Sequence, residues 1–388
     1  MKKLAILGST GSIGKNTLNV VRNLNNRGFP VKIAFLAAFS NFELLKQQIK
    51  EFNVGAAAII DENGYVKLKS LTPACDCRIV KGMDGVLELI ESESYDLLVN
   101  AFVGFAGLIP TIRTIKRGKD IALANKESLV VGGELITELL KSSSSKLIPV
   151  DSEHSAILQC INGEPGNSVK KLILTASGGP FLNLSKNELE SVTPEKALMH
   201  PNWRMGHKIT VDSSTLMNKG FEIIEGKWLF DMDIKNIDVL IHPNSIVHSL
   251  VEFNDGSVKA QLGVPDMQIP IQYAITYPGR ISSEVKRLNL AETGKLTFFK
   301  PDFDKFECLK LAYDVMDMGG TYPVVMNASN EIAVDLFLKK KIRFLDIPYL
   351  IKKTLDKNNN HCEMSLDNIL AIDKWSRDLV FSFVGSGV

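Results

Sequence analysis

The strongest constraint on this chain sits at its start. Leu4-Ala5-Ile6-Leu7 is a short apolar run with strand character, and Gly8-Ser9-Thr10-Gly11-Ser12-Ile13-Gly14 follows it directly. Residues 16–23 then carry Leu18, Val20 and Val21 in a helical pattern. Strand, glycine loop and helix open a βαβ unit, which directs the chain toward an α/β sheet. Glycines let the backbone approach a pyrophosphate, and the helix start adds N–H groups and the positive end of its dipole. The spacing is G-x-x-G-x-x-G rather than the commoner G-x-G-x-x-G, so a glycine-rich turn without a ligand stays open as the alternative.

The alternation continues. Val31–Ala38, Ala56–Ile60, Cys77–Val80, Leu97–Asn100, Asp120–Ala124 and Leu147–Val150 read as short strands. Helical patterns lie between them at Phe42–Phe52, Met83–Glu91 and Leu108–Lys116. Such an order predicts a mainly parallel, doubly wound, Rossmann-like sheet over residues 1–150. An NAD site would place an acid after the second strand to hold the ribose hydroxyls. Phe39-Ser40-Asn41 stands there instead. Nothing in it repels a 2′-phosphate, so NADP is favoured, although no Arg or Lys is present to bind one. After Asp120–Ala124 comes Asn125-Lys126-Glu127-Ser128, which reads either as a cluster facing nicotinamide or substrate or as a helix cap.

The sixth of these strands ends in Val150-Asp151-Ser152-Glu153-His154. Its two carboxylates sit at a strand's carboxyl end, where open α/β sheets bind ligands. A third, Glu222, lies in Asn218-Lys219-Gly220-Phe221-Glu222, three residues after Lys219 and on the same helical face. Asp151, Glu153 and Glu222 together form an oxygen-only set suited to one Mg²⁺ or Mn²⁺. Solvated surface acids are the bland alternative.

Between these motifs, Leu172–Ala176 reads as a strand ending in Ser177-Gly178-Gly179-Pro180, whose glycines suggest close backbone approach to a ligand. Residues 183–207 are polar, with Pro194, Pro201 and His200-Pro201-Asn202-Trp203 among them, and read as a lid in which Trp203 needs something to cover. Trp203 packed on the domain body is the alternative. Asp212-Ser213-Ser214-Thr215 is expected to cap a helix running to Phe230, with Ser213, Asn218 and Lys219 near its start as a phosphate site. Ile237–His242, Ile246–Phe253 and Ser257–Leu262 read as strands, the last two joined at Asn254-Asp255-Gly256 in a hairpin. The expected organisation is a nucleotide domain at 1–150, an α+β catalytic domain at 151–277, a linker at 278–302 and a C-terminal helical bundle at 303–388.

Composition narrows the classes. With 45 Lys plus Arg against 44 Asp plus Glu, the chain has no bulk field for nucleic acid. Five cysteines, odd in number and scattered, suit reduced thiols in the cytoplasm, and Cys75-x-Cys77 lacks the partners of a zinc site. No run of 18 apolar residues predicts a membrane span, and Leu4–Leu7 is too short for a signal peptide.

Taken together, the glycine loop, Asn125-Lys126-Glu127, Val150–His154, Ser177–Phe181, His200–Trp203 and Met217–Glu222 make the chain resemble the 1-deoxy-D-xylulose 5-phosphate reductoisomerase family along nearly its whole length. The resemblance implies an oxidoreductase and isomerase of isoprenoid precursor biosynthesis, with an NADPH-binding domain, a catalytic domain with a mobile flap, a helical bundle, and assembly as a homodimer. It implies that a ketose phosphate is cleaved by retro-aldol chemistry, rejoined as a branched aldehyde, and reduced to 2-C-methyl-D-erythritol 4-phosphate. It marks Asp151, Glu153 and Glu222 as metal ligands. It marks Ser177, Ser213, Asn218 and Lys219, with His200, as the phosphate pocket, and Lys126 and Ser152 as contacts to the sugar's oxygens. Lys126, Glu153, His200 and Lys219 are the catalytic candidates, and Trp203 joins the substrate set as the lid's cover. Thr10, Gly11, Ser12, Ile13, Asn41, Asn125, Glu127 and Gly206 are implied NADPH contacts, with Ser40 beside them. At Phe39-Ser40 the family commonly has Gly and a basic residue, so the hold on the 2′-phosphate departs from the pattern here.

Two other functions compete. A semialdehyde dehydrogenase would need a nucleophilic cysteine and no metal, and Cys160 is the one near the acidic motif. A non-catalytic nucleotide-sensing module would leave three acids and a lysine-bearing helix without purpose.

Overall fold

The structure is a computed structural model; it describes every residue except 72–75, 201–202, 204, 360–361 and 386–388. Cys75, Pro201 and Asn202 therefore lie outside the described residues. The chain runs β1 (Lys2–Leu7), α1 (Ser12–Asn26), β2 (Val31–Ala38), α2 (Phe42–Phe52), β3 (Ala56–Ile59), α3 (Glu62–Leu71), β4 (Arg78–Lys81), α4 (Gly82–Ser92), β5 (Leu97–Asn100), α5 (Leu108–Lys116), β6 (Asp120–Leu123), α6 (Glu127–Lys141), β7 (Leu147–Pro149) and α7 (Ser152–Ile161). It continues through β8 (Val169–Ala176), α8 (Pro194–Ala197), α9 (His207–Ser214), α10 (Met217–Phe230), β9 (Ile237–Ile241), β10 (Val247–Phe253), β11 (Val258–Leu262), α11 (Gln268–Thr276), α12 (Leu290–Thr293), α13 (Glu307–Met318), α14 (Tyr322–Leu338), α15 (Asp346–Leu355) and α16 (Leu366–Gly385).

These elements fall into two compact units. The first comprises residues 1–125, 136–155 and 266–286, and the second residues 126–135, 156–265 and 287–388.

The first unit holds a seven-stranded sheet in the order β4-β3-β2-β1-β5-β6-β7, with every neighbouring pair parallel. Its inner strands are covered on both faces and carry nearly continuous apolar runs; Leu4–Leu7 and Phe35–Ala38 are fully buried. Phe35 and Tyr95 meet edge to face, with ring centroids 5.7 Å apart. Strand order reverses between β1 and β5, and the glycine loop leaves β1 at that point. Residues 266–277, expected in the middle domain, and 278–286, expected in the linker, belong to this unit. The reason is visible in α11, whose buried Pro270 to Thr276 form an apolar helix that packs beside α1. The Lys2 ammonium also donates to the Ile275 carbonyl, 2.6 Å away.

The second unit is built on a mixed sheet in the order β11-β10-β8-β9, where β8 and β9 are parallel and the other pairs antiparallel. The hairpin between β10 and β11 turns at Gly256, whose φ of +84° suits a residue without a Cβ. Helix α10 lies against β8 and β9, and Ile223, Leu172, Val239 and Leu309 share their core. Gly220 admits α13, since a Cβ there would stand 2.8 Å from Ala312. The four helices α13 to α16 follow, with α14 packed on α13, α15 and α16. Among the described residues no helix is long and apolar enough to cross a membrane.

One expected helix is two. Asp212 does not cap a helix running to Phe230; it lies within α9, which ends at Ser214. Leu216 then takes a left-handed φ of +58° and α10 begins at Met217. The break places Ser213 on one helix and Asn218, Lys219 and Glu222 on the first turns of the next. Residues 183–207 are also less irregular than expected, since they include a 3₁₀ turn at Asn187–Ser191 and the short α8.

Candidate active site

In the first unit the glycine loop is fixed by its neighbours. Gly8 and Ser9 donate from their backbone N–H groups to the Ala37 carbonyl of β2, at 2.8 and 2.9 Å. Gly8 has φ +78°, and a Cβ there would lie 2.4 Å from the Ala101 carbonyl oxygen beyond β5. Ser9 is buried and exchanges hydrogen bonds with Gln48, so it holds the loop rather than facing outward. Helix α1 starts at Gly11 with no side-chain cap and no acid in its first turn. Its first N–H groups therefore have no local side chain competing for them. Thr10, Gly11, Ser12 and Ile13 form this start.

Phe39 and Ser40 are exposed at the end of β2, Phe39 by 66%. Asn41 caps α2, its side-chain oxygen accepting from the Leu44 N–H at 3.1 Å. Asn125 is buried, and its amide donates to the Phe102 and Gly104 carbonyls at 2.9 and 2.8 Å. Its side-chain donors thus shape the loop after β5. Asp151 follows β7 and its carbonyl accepts from Ser155 N–H at 2.8 Å. The Ser152 hydroxyl donates to the Glu153 carboxylate at 2.6 Å, in the first turn of α7. The two acids and the serine thus share one strand-to-helix turn.

In the second unit, three predicted residues converge on the carboxylate of a fourth. Glu222 is 1% exposed. Lys126 donates to it from 3.1 Å and Asn218 from 2.6 Å, and Lys219 is paired with its other oxygen. Lys126 also donates to the Asn218 side-chain oxygen at 2.9 Å. A lone buried carboxylate would be strongly disfavoured, and two ammonium groups offset that cost here.

A second group forms around His200. Its Nε2 lies 3.0 Å from the Ser177 hydroxyl, and its Nδ1 accepts the Trp203 N–H at 3.0 Å. That pattern assigns the ring proton to Nε2, which donates to Ser177. Burial holds the imidazole pKa below its ordinary value. Gly179 brings the glycine turn against α9, because a Cβ there would stand 2.7 Å from the Ser213 carbonyl oxygen. Ser213 is buried. A pocket of about 290 Å³ opens beside His200, walled mainly by Leu198, Met199, Trp203, Met205 and Thr210. Gly206 caps α9 next to it.

The sequence reading missed Lys208. Its ammonium lies 2.6 Å from Glu127 and 2.9 Å from Asp212, between α6 and α9. The i,i+4 spacing of Lys208 and Asp212 was visible, but it is also the spacing of an ordinary surface pair. Cys160, by contrast, is buried and its thiol is pushed up to about 11 by desolvation. It is not poised as a thiolate nucleophile, which removes the support for a cysteine-dependent dehydrogenase.

A glycine loop at the switch point of a parallel sheet, joined to an α+β unit with clustered lysines and acids, defines an α/β oxidoreductase class. Family models refine this. The 1-deoxy-D-xylulose 5-phosphate reductoisomerase model matches residues 4–133, its C-terminal domain model matches 147–230, and the DXP reductoisomerase C-terminal domain model matches 262–379. A reductoisomerase of that name from Chloroherpeton thalassium is 50% identical over 383 residues, covering 98% of both chains. One from Thermoanaerobacter pseudethanolicus is 51% identical over 375 residues, covering 96% of this chain and 97% of its own. The solved enzyme of Zymomonas mobilis, in complex with NADPH, is 39% identical with TM-score 0.91 and covers 99% of both chains. A further solved reductoisomerase, in complex with NADPH, fosmidomycin and magnesium, is 40% identical with TM-score 0.92, covering 99% of this chain and 98% of its own. The chain belongs to the 1-deoxy-D-xylulose 5-phosphate reductoisomerase family.

His200 yields a pH prediction. The unfolded imidazole has the ordinary value of 6.5 and the folded one lies lower, so the unfolded state takes up this proton first as pH falls. The stability that His200 contributes is complete above about pH 6.5 and declines as pH drops through that value. NMR titration should give a folded-state pKa below the ordinary one, and His200→Gln should flatten the acid side of the stability profile. An ordinary or raised pKa would contradict the burial of the ring in this pocket.

Proposed function

We infer that this chain isomerises and reduces 1-deoxy-D-xylulose 5-phosphate to 2-C-methyl-D-erythritol 4-phosphate, using NADPH and a divalent cation. The observation that carries this is family membership along the whole chain, together with a glycine loop held open at the sheet's switch point. The competing sensor reading has no comparable support.

The residues present fit both groups. Gly14 lets the start of α1 press onto the loop, since a Cβ there would lie 2.3 Å from the Gly8 carbonyl oxygen. The uncapped helix start is suited to the cofactor's pyrophosphate. Thr10, Gly11, Ser12, Ile13, Ser40, Asn41, Asn125, Glu127 and Gly206 are the proposed NADPH contacts. Asp151, Glu153 and Glu222 supply only hard oxygen donors, which suits Mg²⁺ or Mn²⁺. When bound, the cation supplies Lewis acidity toward the ketose oxygens and NADPH supplies the hydride.

The protein's own groups position and shield. Lys126 and Ser152 are proposed to hold the sugar's oxygens; the Lys126 ammonium already sits beside Glu222 and Asn218. Ser177, His200, Ser213, Asn218 and Lys219 are proposed to hold the phosphate, which is remote from the bonds that change. Its binding energy can therefore orient the substrate. Neutral His200, with its proton on Nε2, is suited to donate a hydrogen bond. Glu153 is the acid we propose as both a cation ligand and a catalytic residue.

The functional division we propose is nucleotide binding by residues 1–150, catalysis by 151–277, a linker at 278–302 and support by 303–388, with residues 266–286 packed in the first unit. Residues 183–207 are proposed as a lid, with Trp203 covering the substrate's carbon chain. We further propose a cytoplasmic homodimer, in keeping with the family resemblance and with thiols that form no disulfide among the described residues. Sedimentation that gives a monomer mass would rule the dimer out.

Metal removal is the direct test. Chelation should abolish turnover and added Mg²⁺ or Mn²⁺ should restore it, while Glu222→Gln should weaken metal affinity or turnover by about ten- to a hundredfold. Unchanged metal titration and rate in that variant would sink the three-carboxylate site. For the cofactor, kcat/KM should favour NADPH over NADH, and Ser40→Asp should weaken NADPH selectively by repelling its 2′-phosphate. Equal specificity for the two cofactors contradicts the reading. For the lid, a substrate-like phosphonate plus metal should alter Trp203 fluorescence and protect residues 183–207 from protease; no change in either removes the lid.

A further inference from the structure

We infer that Lys208 is a positioning residue for the reductive step, holding the Glu127 carboxylate in place for the cofactor. The inference rests on the reading above that Glu127 touches NADPH.

Three charged side chains meet within the second unit. Lys208 lies in the first turn of α9 and Glu127 in the first turn of α6. The ammonium is 2.6 Å from Glu127 Oε1 and 2.9 Å from Asp212 Oδ2. The two carboxylates are shielded from water, Glu127 being 7% exposed and Asp212 1%, and the Lys208 side chain between them is 17% exposed. The Phe221 ring faces the same ammonium with its centroid 4.8 Å away. The outer carboxylate is tied down in turn, because Asn330 of α14 donates to Asp212 Oδ1 at 2.8 Å. Asn330 is fully buried, and the adjacent Glu331 pairs with Arg377 of α16 at 2.6 Å. A continuous polar line thus runs from the C-terminal helices through Asp212 and Lys208 to Glu127.

The charges show what the ammonium does. Burial disfavours its charged form, but Asp212 and Glu127 outweigh that and hold the pKa above its ordinary value. Burial likewise disfavours the Glu127 carboxylate, and Lys208 outweighs it and keeps the group ionised. Asp212 is raised by burial, with Lys208 and Asn330 acting against the shift. Without Lys208 two buried carboxylates would face each other, and one would have to move or take up a proton.

A stabilising role alone is a weaker account. Buried ion pairs add little net stability over apolar side chains of similar volume, and their better attested contribution is to fix geometry. Here the geometry concerns two helix starts. Lys126 and Glu127 project from the first, and Ser213 lies further along the second.

The test is the double variant Lys208→Met with Asp212→Asn. It keeps the trio's net charge at −1, leaves Glu127 untouched and preserves the apolar stem beside Phe221. The new amide at 212 can still meet Asn330, so α9 stays anchored while Glu127 is released. KM and Kd for NADPH should rise about tenfold, the scale of losing an outer-shell partner. KM for the ketose phosphate should change less than the NADPH constants. Lys208→Arg, which keeps the charge, should restore part of the NADPH affinity relative to Lys208→Met alone. Arg377→Met serves as the comparator for general loosening; it should lower Tm and leave the NADPH constants unchanged. A folded double variant with wild-type NADPH constants overturns the inference, as does an Arg377→Met variant equally impaired toward NADPH. If the double variant does not fold, Lys208→Gln decides: weakened NADPH binding with the thermal midpoint retained, recovered at least in part by Lys208→Arg, supports the inference, and wild-type NADPH constants in Lys208→Gln overturn it. Glu127→Ala separates this from the underlying reading. Unchanged NADPH constants there overturn the cofactor contact itself, whereas a rise there without one in the double variant overturns only the role of Lys208.

Discussion

At Gly14 a single hydrogen in place of a methyl decides how the first unit can be built. The start of α1 packs so closely on the loop that a Cβ would stand 2.4 Å from the Ser9 Cα as well as 2.3 Å from the Gly8 oxygen. That approach is what places the uncapped N–H groups of α1 beside the end of β1. Gly8 performs the matching task on the other side, against Ala101. Both contacts occur where the strand order turns from β2 to β5 around β1, the position at which open α/β sheets bind ligands. The sheet, the helix dipole and the glycines therefore act at one place, above the buried apolar runs Leu4–Leu7 and Phe35–Ala38.

The second unit solves a different problem. It buries several carboxylates, and each must be compensated to remain ionised. Around Glu222 the compensation comes from Lys126, Lys219 and the Asn218 amide. Around Glu127 and Asp212 it comes from Lys208 and Asn330. Lys126 and Glu127 are adjacent in sequence yet enter different clusters, so the first turn of α6 joins the two networks. A kink at Gly132 follows, and Gly133 lets that helix meet the Trp228 ring, where a Cβ would lie 2.2 Å from its nearest atom.

Much of this was legible in the sequence because it depends on local signals. The glycine loop, the six further parallel strands and the Asn254-Asp255-Gly256 hairpin each announce themselves within about ten residues. The grouping of Lys219 with Glu222 follows from helical spacing alone. What escaped depends on long-range packing. The break at Leu216 has no Gly or Pro to mark it; a leucine there adopts φ +58° because its side chain is buried in the core. The return of residues 266–286 to the first unit is a matter of which apolar face α11 finds, and its pattern suits either unit. Lys208 escaped because its partners lie 81 residues before it and 4 after, and only the fold shows that both reach one ammonium.

The same physics separates the two kinds of lysine in this chain. Lys186 and Lys340 pair with Glu307 and Glu195 at the surface, where water and salt screen the attraction and such pairs contribute little. Lys126, Lys208 and Lys219 meet their acids where screening is weak, so their geometry is held far more firmly. Composition cannot tell these groups apart, since both contribute to the same near-balance of charge. A carboxylate set between two fixed ammonium groups is preorganised: its orientation is determined before any ligand arrives, and no side-chain freedom remains to be lost there on binding. For Glu222 this means that the side chain proposed to face the cation and the ammonium proposed to face the sugar are oriented by one another. Altering either removes what orients the other, although 96 residues separate them in the chain.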